Sequence, residues 1–369
     1  MILGLVSGQS ELGIRPLSKA WSLLVVYGGW KSGFLTQELI DRNMGFHDNR
    51  GMICEYLHLK KTAEERIMSN KQDNSVAVLL ILISAFWFSV YPILGKVVFA
   101  GGAGLSTVLL FRFGISALTL WAITIWREGF PRLSLKSWLS LWLMGGVAYS
   151  MMAGLYISSV LYIPASLAAL LLYAYPIIVT VLAVLTKQEM FSRFKFAGLI
   201  IATFGLVLVL GVAFQGINIL GVLLALGAAF VYAIYILAGN KVLKTISPLV
   251  STAAISTSAA LTYGVIGFQV SGMTWNLSWG TWMGIVGIAV STIIAMLTFF
   301  EGIKRVGATS ASIISTTEPV MTVILAVIIF QEHLTLWQVV GGIFVIAGGI
   351  LAVISPASKI IRPVNSSVH

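Results

Sequence analysis

Residues 308–332 read Ala308-Thr309-Ser310-Ala311-Ser312-Ile313-Ile314-Ser315-Thr316-Thr317-Glu318-Pro319-Val320-Met321-Thr322-Val323-Ile324-Leu325-Ala326-Val327-Ile328-Ile329-Phe330-Gln331-Glu332, and 143 residues earlier the chain runs through the same pattern from Ala165 to Glu189. Extended to 165–210 and 308–353, the two stretches align without a gap and share 12 identities in 46 positions. Pro176/Pro319, Gln188-Glu189/Gln331-Glu332, Gly198/Gly341 and Gly205/Gly348 stand in register, which apolar composition alone does not produce. The first helices of the halves match more loosely, Trp87 to Lys96 against Tyr232 to Lys241. A repeat of this length fixes the architecture before any motif is weighed.

A bilayer core of about 30 Å takes roughly 20 apolar residues in helix, because every backbone amide must be satisfied within the segment. Such runs recur from residue 76 onward, and we number them spans 1 to 10: 76–99, 105–126, 138–158, 165–186, 194–213, 218–238, 249–270, 280–300, 308–330 and 335–354. Stretches such as Val323 to Ile329 are apolar on every side, which excludes the alternating strands of a β-barrel. The expected fold is an all-α polytopic membrane protein of ten transmembrane helices, arranged as two five-helix repeats, 76–213 and 218–354. An odd number per repeat turns the second upside down relative to the first. Inverted-topology repeats are the architecture of secondary transporters, with the substrate site near the midplane where the repeats meet.

Composition agrees: 58% of the 369 residues are apolar and 10% charged, where a soluble chain has about 45–50% and about a quarter. Residues 1–75 hold 9 Lys/Arg and 8 Asp/Glu, whereas residues 76–369 hold 14 Lys/Arg, 5 Glu and no Asp. Alternate connections carry Arg127, Arg132 and Lys136, then Lys187, Arg193 and Lys195, then Lys241 and Lys244, then Lys304 and Arg305, with Lys359 and Arg362 in the 355–369 tail; the intervening ones carry none. By the positive-inside rule both termini are cytoplasmic and the protein sits in the cytoplasmic membrane. The net charge of +10 therefore records orientation and not nucleic-acid binding. Residues 1–75 contain neither a signal peptide nor a span; they read as a disordered cytoplasmic tail, or as an extension upstream of a start at Met68. The lone Cys54 rules out an internal disulfide, and His47, His58, His333 and His369 are too scattered for a zinc site, so no metal or cofactor is expected. Gly29-Trp30-Lys31-Ser32 lacks the leading glycine of a phosphate-binding loop, which leaves no ATP site.

Ten spans in two halves, Phe111-Arg112-Phe113, Tyr175-Pro176 with Gln188-Glu189, and Glu318-Pro319 with Gln331-Glu332 resemble the EamA-type branch of the drug/metabolite transporter superfamily. The resemblance covers residues 76–355. It implies a transporter, usually an exporter, of small metabolites such as amino acids and related amphiphiles, with both termini inside and a cavity between the halves.

Glu318 is the eleventh residue of span 9, about 15 Å along a 30 Å path, where an ionisable group is costly and suggests function. Pro319 deprives the Ser315 carbonyl of its helical donor, so Ser315, Thr316, Thr317 and Glu318 form a polar patch able to read an ammonium or a coupling proton. The equivalent of Glu318 is Tyr175, before Pro176. Arg112 lies about 10 Å into span 2 and has three candidate roles: pairing with Glu318, holding a substrate carboxylate, or bonding freed carbonyls. Trp87, Tyr91, Tyr149, Tyr156, Tyr173, Tyr232 and Tyr235 also fall within spans, and Trp87, Tyr91, Tyr149, Tyr232 and Tyr235 join Tyr175 as candidates to stack on a substrate, with packing as the competing role. Pro92, Pro176 and Pro319 are expected to kink their helices. Lys96 near the outer end of span 1, and Glu189 and Glu332 just beyond spans 4 and 9, are assigned gating or structural roles, the glutamates by hydrogen bonding or capping at the start of the following helix. Gly221, Ala225, Ala229 and Ala233 form a small-residue stripe for close helix packing.

The function expected from these features is export of small organic metabolites, amino acids, related amphiphiles or drugs, by alternating access. Protons are the candidate coupling ion, and the assembly is a monomer or homodimer. A flippase for a lipid or lipid-linked carrier is the alternative. An intramembrane enzyme is disfavoured, since the spans lack His clusters, Asp and paired carboxylates.

Overall fold

The computed structural model describes residues 49–211, 218–271, 273–331, 333 and 335–354, with side chains from residue 74 onward except at 165, 166, 270, 271 and 354. The expected tail segments 1–48 and 355–369, and Glu332, lie outside the described residues. The chain divides into two units, Met1–Asn70 and Lys71–His369. In the first, residues 49–70 are helical. The second unit holds the spans.

Among the described residues, nine helices are long and apolar enough to cross a membrane, and the shorter apolar helix Glu318–Phe330 completes the tenth span. The difference arises at span 8, which runs into span 9 as one helix, Trp279–Ser315, broken in its φ/ψ path only at Gly307 (φ 83°). Ser134, Ser192, Asn218, Ser247 and Ser278 each accept a backbone N–H at the start of spans 3, 5, 6, 7 and 8. These short polar side chains satisfy donors that a helix leaves open at its start, and so mark where each span begins.

Spans 4 and 9 are discontinuous at equivalent places. Span 4 is Ala165–Leu172 followed by Tyr175–Leu185, and span 9 ends its first part at Ser315 before Glu318–Phe330. Pro176 and Pro319 each stand in the first turn of the second segment, where a missing N–H costs nothing. The turn between segments is tightened by Ala174 N–H bonding Leu171 O in span 4 (3.1 Å), and by Thr317 N–H bonding Ile314 O in span 9 (3.0 Å). Pro92 behaves differently: it is exposed inside the continuous helix Asn49–Ala100.

Spans 5 and 10 cross by glycine contact at two points. A Cβ on Gly198 would sit 2.6 Å from the Gly348 carbonyl oxygen, and one on Gly205 would sit 2.5 Å from that of Gly341. Since Gly198 is equivalent to Gly341 and Gly205 to Gly348, the contact is symmetric about the axis relating the repeats. Span 6 packs against span 3 and both segments of span 4, with Ala225, Ala229 and Ala233 fully buried along its small-residue stripe. Span 2 packs against spans 7 and 8. Hydroxyls tie the repeats together: Ser84 donates to Ala295 O (2.8 Å), Ser116 to Ala289 O (3.2 Å) and Ser291 to Trp87 O, while the Trp121 indole donates to Thr257 (2.9 Å). The two halves of the sequence are thus interleaved in space and do not form two separate lobes.

Candidate functional site

The breaks in spans 4 and 9 bring their polar residues together. The Tyr175 hydroxyl, on span 4, reaches the Ser312 carbonyl of span 9 at 3.5 Å and lies within hydrogen-bonding reach of Ser315. Glu318, at the start of the second segment of span 9, has the Tyr173 hydroxyl of span 4 as its hydrogen-bonding neighbour. Its carboxylate is also within electrostatic range of Tyr149 and Tyr156 of span 3, Tyr232 of span 6 and Arg112 of span 2. Glu318, Tyr149, Tyr173 and Tyr232 keep part of their surface accessible, while Tyr175 and Tyr235 behind them are 2% and 3% exposed. These partly accessible side chains come from spans 3, 4, 6 and 9 and meet at the junction of the two repeats.

A chain of rings runs through this junction. Tyr173 meets Tyr175 (6.1 Å between centroids), Tyr175 meets Tyr232 edge-on (4.6 Å), and Tyr232 stacks on Tyr235 (5.9 Å). Tyr235 meets Tyr149 (5.9 Å), Tyr149 meets Phe113 (5.2 Å), and Phe113 stacks on Tyr263 (6.0 Å). Tyr149 closes a π-helical turn, Leu143–Tyr149, in which Gly145 lies against the Ile255 carbonyl and Ser258 of span 7. Such a turn rotates the side chains after it relative to a regular helix, and recurs at functional sites.

Arg112 is 3% exposed and ends this chain opposite Glu318. Its Nε donates to Thr292 Oγ1 (2.6 Å), and its guanidinium carbon lies 4.1 Å from the Tyr91 ring centroid and 4.9 Å from that of Phe113. Tyr91 and Tyr149 are within its hydrogen-bonding reach. The ion pairs among the described residues, Glu189–Lys195 and Glu301–Arg305, do not include it. Of the three candidate roles of Arg112, a salt bridge to Glu318 is not made among the described residues; a threonine and aromatic faces hold the guanidinium.

The hydroxyls of Ser315, Thr316 and Thr317 donate to the carbonyls of Ala311, Ile313 and Ile314 (2.9, 2.6 and 2.8 Å) and are buried at the break, where Ser315 also lies within hydrogen-bonding reach of Tyr175. Glu189 makes its hydrogen bond at the start of span 5 through Oε2, which pairs with Lys195 (2.8 Å), while Ser192 is the cap there. Its Oε1 accepts the Thr309 N–H at the start of span 9 (3.0 Å). Lys96 is exposed with its ammonium 4.0 Å from the Phe330 ring centroid, joining span 1 to the end of span 9. Trp87 is half-buried beside Phe86 and makes no ring contact with the tyrosine chain. Phe113 and Gln188 stand in motifs legible in the sequence, whereas Tyr263, Thr292 and the Asn240–Gln188 bond (3.1 Å) enter only with the structure. Of these, Asn240, a polar residue near the end of an apolar helix, carries a signal in the sequence.

The EamA-like transporter family matches residues 75–211 and again 219–354, one copy per repeat. The chain belongs to the EamA-like transporter family. A relative in Bacillus subtilis (strain 168), the uncharacterized transporter YcbK, is 27% identical over 304 residues, 78% of this chain and 96% of its own. The uncharacterized transporter sll1319 of Synechocystis is 25% identical over 310 residues, covering 75% and 92%. A protein of known crystal structure, 18% identical, superposes with a TM-score of 0.66 over 77% of this chain and 98% of its own, a likeness of fold. This EamA-like chain is thus a multi-pass membrane protein and a transporter.

Proposed function

We propose that the protein is a secondary transporter that exports small amphiphilic organic metabolites, amino acids and their relatives among them, across the cytoplasmic membrane by alternating access. The observation that carries this reading is the chain of rings with a carboxylate, Glu318, at one end and a buried guanidinium, Arg112, at the other. Aromatic faces accept an apolar body and an ammonium by cation–π contact, Glu318 accepts an ammonium or a proton, and Arg112 matches a carboxylate. Because the repeats interleave, the moving parts in this reading are bundles drawn from both repeats, such as spans 3, 4 and 6 against the equivalent set 8, 9 and 1.

The test is flux in proteoliposomes holding the full chain, with labelled amino acids and small amphiphiles, with and without an imposed pH gradient. Saturable flux that follows the gradient supports a proton-coupled carrier, and saturable flux indifferent to it leaves a facilitator. Folded protein that moves none of these but moves a lipid-linked carrier across the bilayer replaces the reading with the flippase.

A further inference from the structure

At the end of the bundle that carries the basic connections, the connection after span 4 holds on to the second repeat at two points. Gln188 accepts a hydrogen bond from the Asn240 side chain at the end of span 6 (3.1 Å), and Glu189 Oε1 accepts the Thr309 N–H at the start of span 9 (3.0 Å). Lys195 of span 5 pairs with Glu189 Oε2 at 2.8 Å, and both side chains are largely shielded, at 14% and 13% exposure. A carboxylate accepting a backbone N–H at a helix start, with its other oxygen neutralised, is a charge-assisted contact stronger than an exposed ion pair.

Gly307 is built around this contact. Its φ of 83° ends span 8 and starts span 9, and a Cβ there would lie 2.7 Å from Glu189 Oε1. The position thus requires glycine both for its backbone and for the close approach of the carboxylate. Thr309 is nine residues before Glu318, about 13 Å along a helix. The segment between them runs helically to Ser315, so a shift of its start is carried to the break that presents Glu318.

We propose that Glu189 is the positioning residue of a latch on the cytoplasmic face: while it holds Thr309, access from that face is shut, and the cytoplasm-open state forms only when the carboxylate lets go. Gln188 with Asn240 is the second point of the latch. The inference rests on the transport reading above and on the orientation given by the basic connections.

The experiment measures access directly. In a C54S background of the full chain, a single S310C reporter beside the latch is labelled with a membrane-impermeant maleimide, in right-side-out and in inside-out vesicles. Glu189→Ala, Glu189→Gln and Gly307→Ala are compared with Glu301→Gln, which removes an exposed ion pair one turn away. Glu189→Ala and Gly307→Ala are expected to raise labelling in inside-out vesicles tenfold or more, with no change from the other face. Glu189→Gln, which keeps an acceptor for Thr309 but loses the charge, is expected to fall between, and Glu301→Gln to match the parent. Equal labelling in all variants, or an equal rise from both faces, overturns the latch. Labelling needs no substrate, so failure of the latch is distinguishable from failure of the transport reading, which shows as absent flux in the unmodified protein.

Discussion

Tyr175 and Glu318 hold the same position in the two repeats, and each reaches into the broken span of the other: the tyrosine hydroxyl toward Ser312 and Ser315, the carboxylate toward Tyr173. The repeat has therefore kept the geometry of the crossing while changing its chemistry. One side offers a neutral hydroxyl and the other a group that can carry charge, and in the proposed transport cycle this asymmetry is what lets Glu318 take a cation or a proton.

Glu318→Gln keeps the shape and the hydrogen bond to Tyr173 but removes the charge. Flux driven by a pH gradient is expected to vanish while membrane insertion and thermal stability stay near the parent. Gradient-dependent flux that survives unchanged in reconstituted vesicles removes Glu318 from the coupling step.

Thr292→Val removes the acceptor of Arg112 Nε at nearly constant volume. Leaving a buried charged donor unsatisfied costs about 1–3 kcal/mol or more, so the melting temperature in detergent is expected to fall. Arg112→Lys, which retains the charge but loses the planar contact with Tyr91 and Phe113, is expected to lower transport at least as strongly. Parallel thermal melts and flux assays measure both.

Tyr232 touches both Tyr175 and Tyr235 and keeps an accessible edge. Tyr232→Phe is expected to preserve affinity for an amphiphilic substrate, and Tyr232→Leu to weaken it about tenfold, the scale of one cation–π or stacking contact. Competition binding separates the two; equal loss in both variants points to the hydroxyl and not the ring.

Gly205→Val places a side chain where the Gly341 carbonyl already sits. Two packed helices have no room to move apart there, so overpacking by more than about 3 kcal/mol is expected, and the variant should fail to give a monodisperse peak in size-exclusion chromatography. Gly154→Val, at a glycine whose Cβ meets nothing within 4 Å, serves as the control.

Span lengths, the repeat and the breaks at Pro176 and Pro319 were legible in the sequence because they depend on local properties: backbone amides need internal partners in lipid, and proline cannot donate one. Glu318 stood out because a charge deep in an apolar run is conspicuous wherever it points.

The partners of these residues were settled only in three dimensions. Ser315, Thr316 and Thr317 looked like a polar site, but a hydroxyl in a helix lies next to the carbonyl three or four residues back and is readily consumed there. Arg112 faces Thr292, 180 residues away, and Glu189 faces Thr309 across 120, because helices are brought together by the crossing of the whole bundle and not by nearness along the chain. The sequence by itself determined the number of spans, their inversion and the depth of the single charged residue in span 9. The tertiary structure decided that the repeats interleave, that a tyrosine chain links Glu318 to Arg112, and that one glutamate fastens two repeats together, since each depends on how separate helices approach.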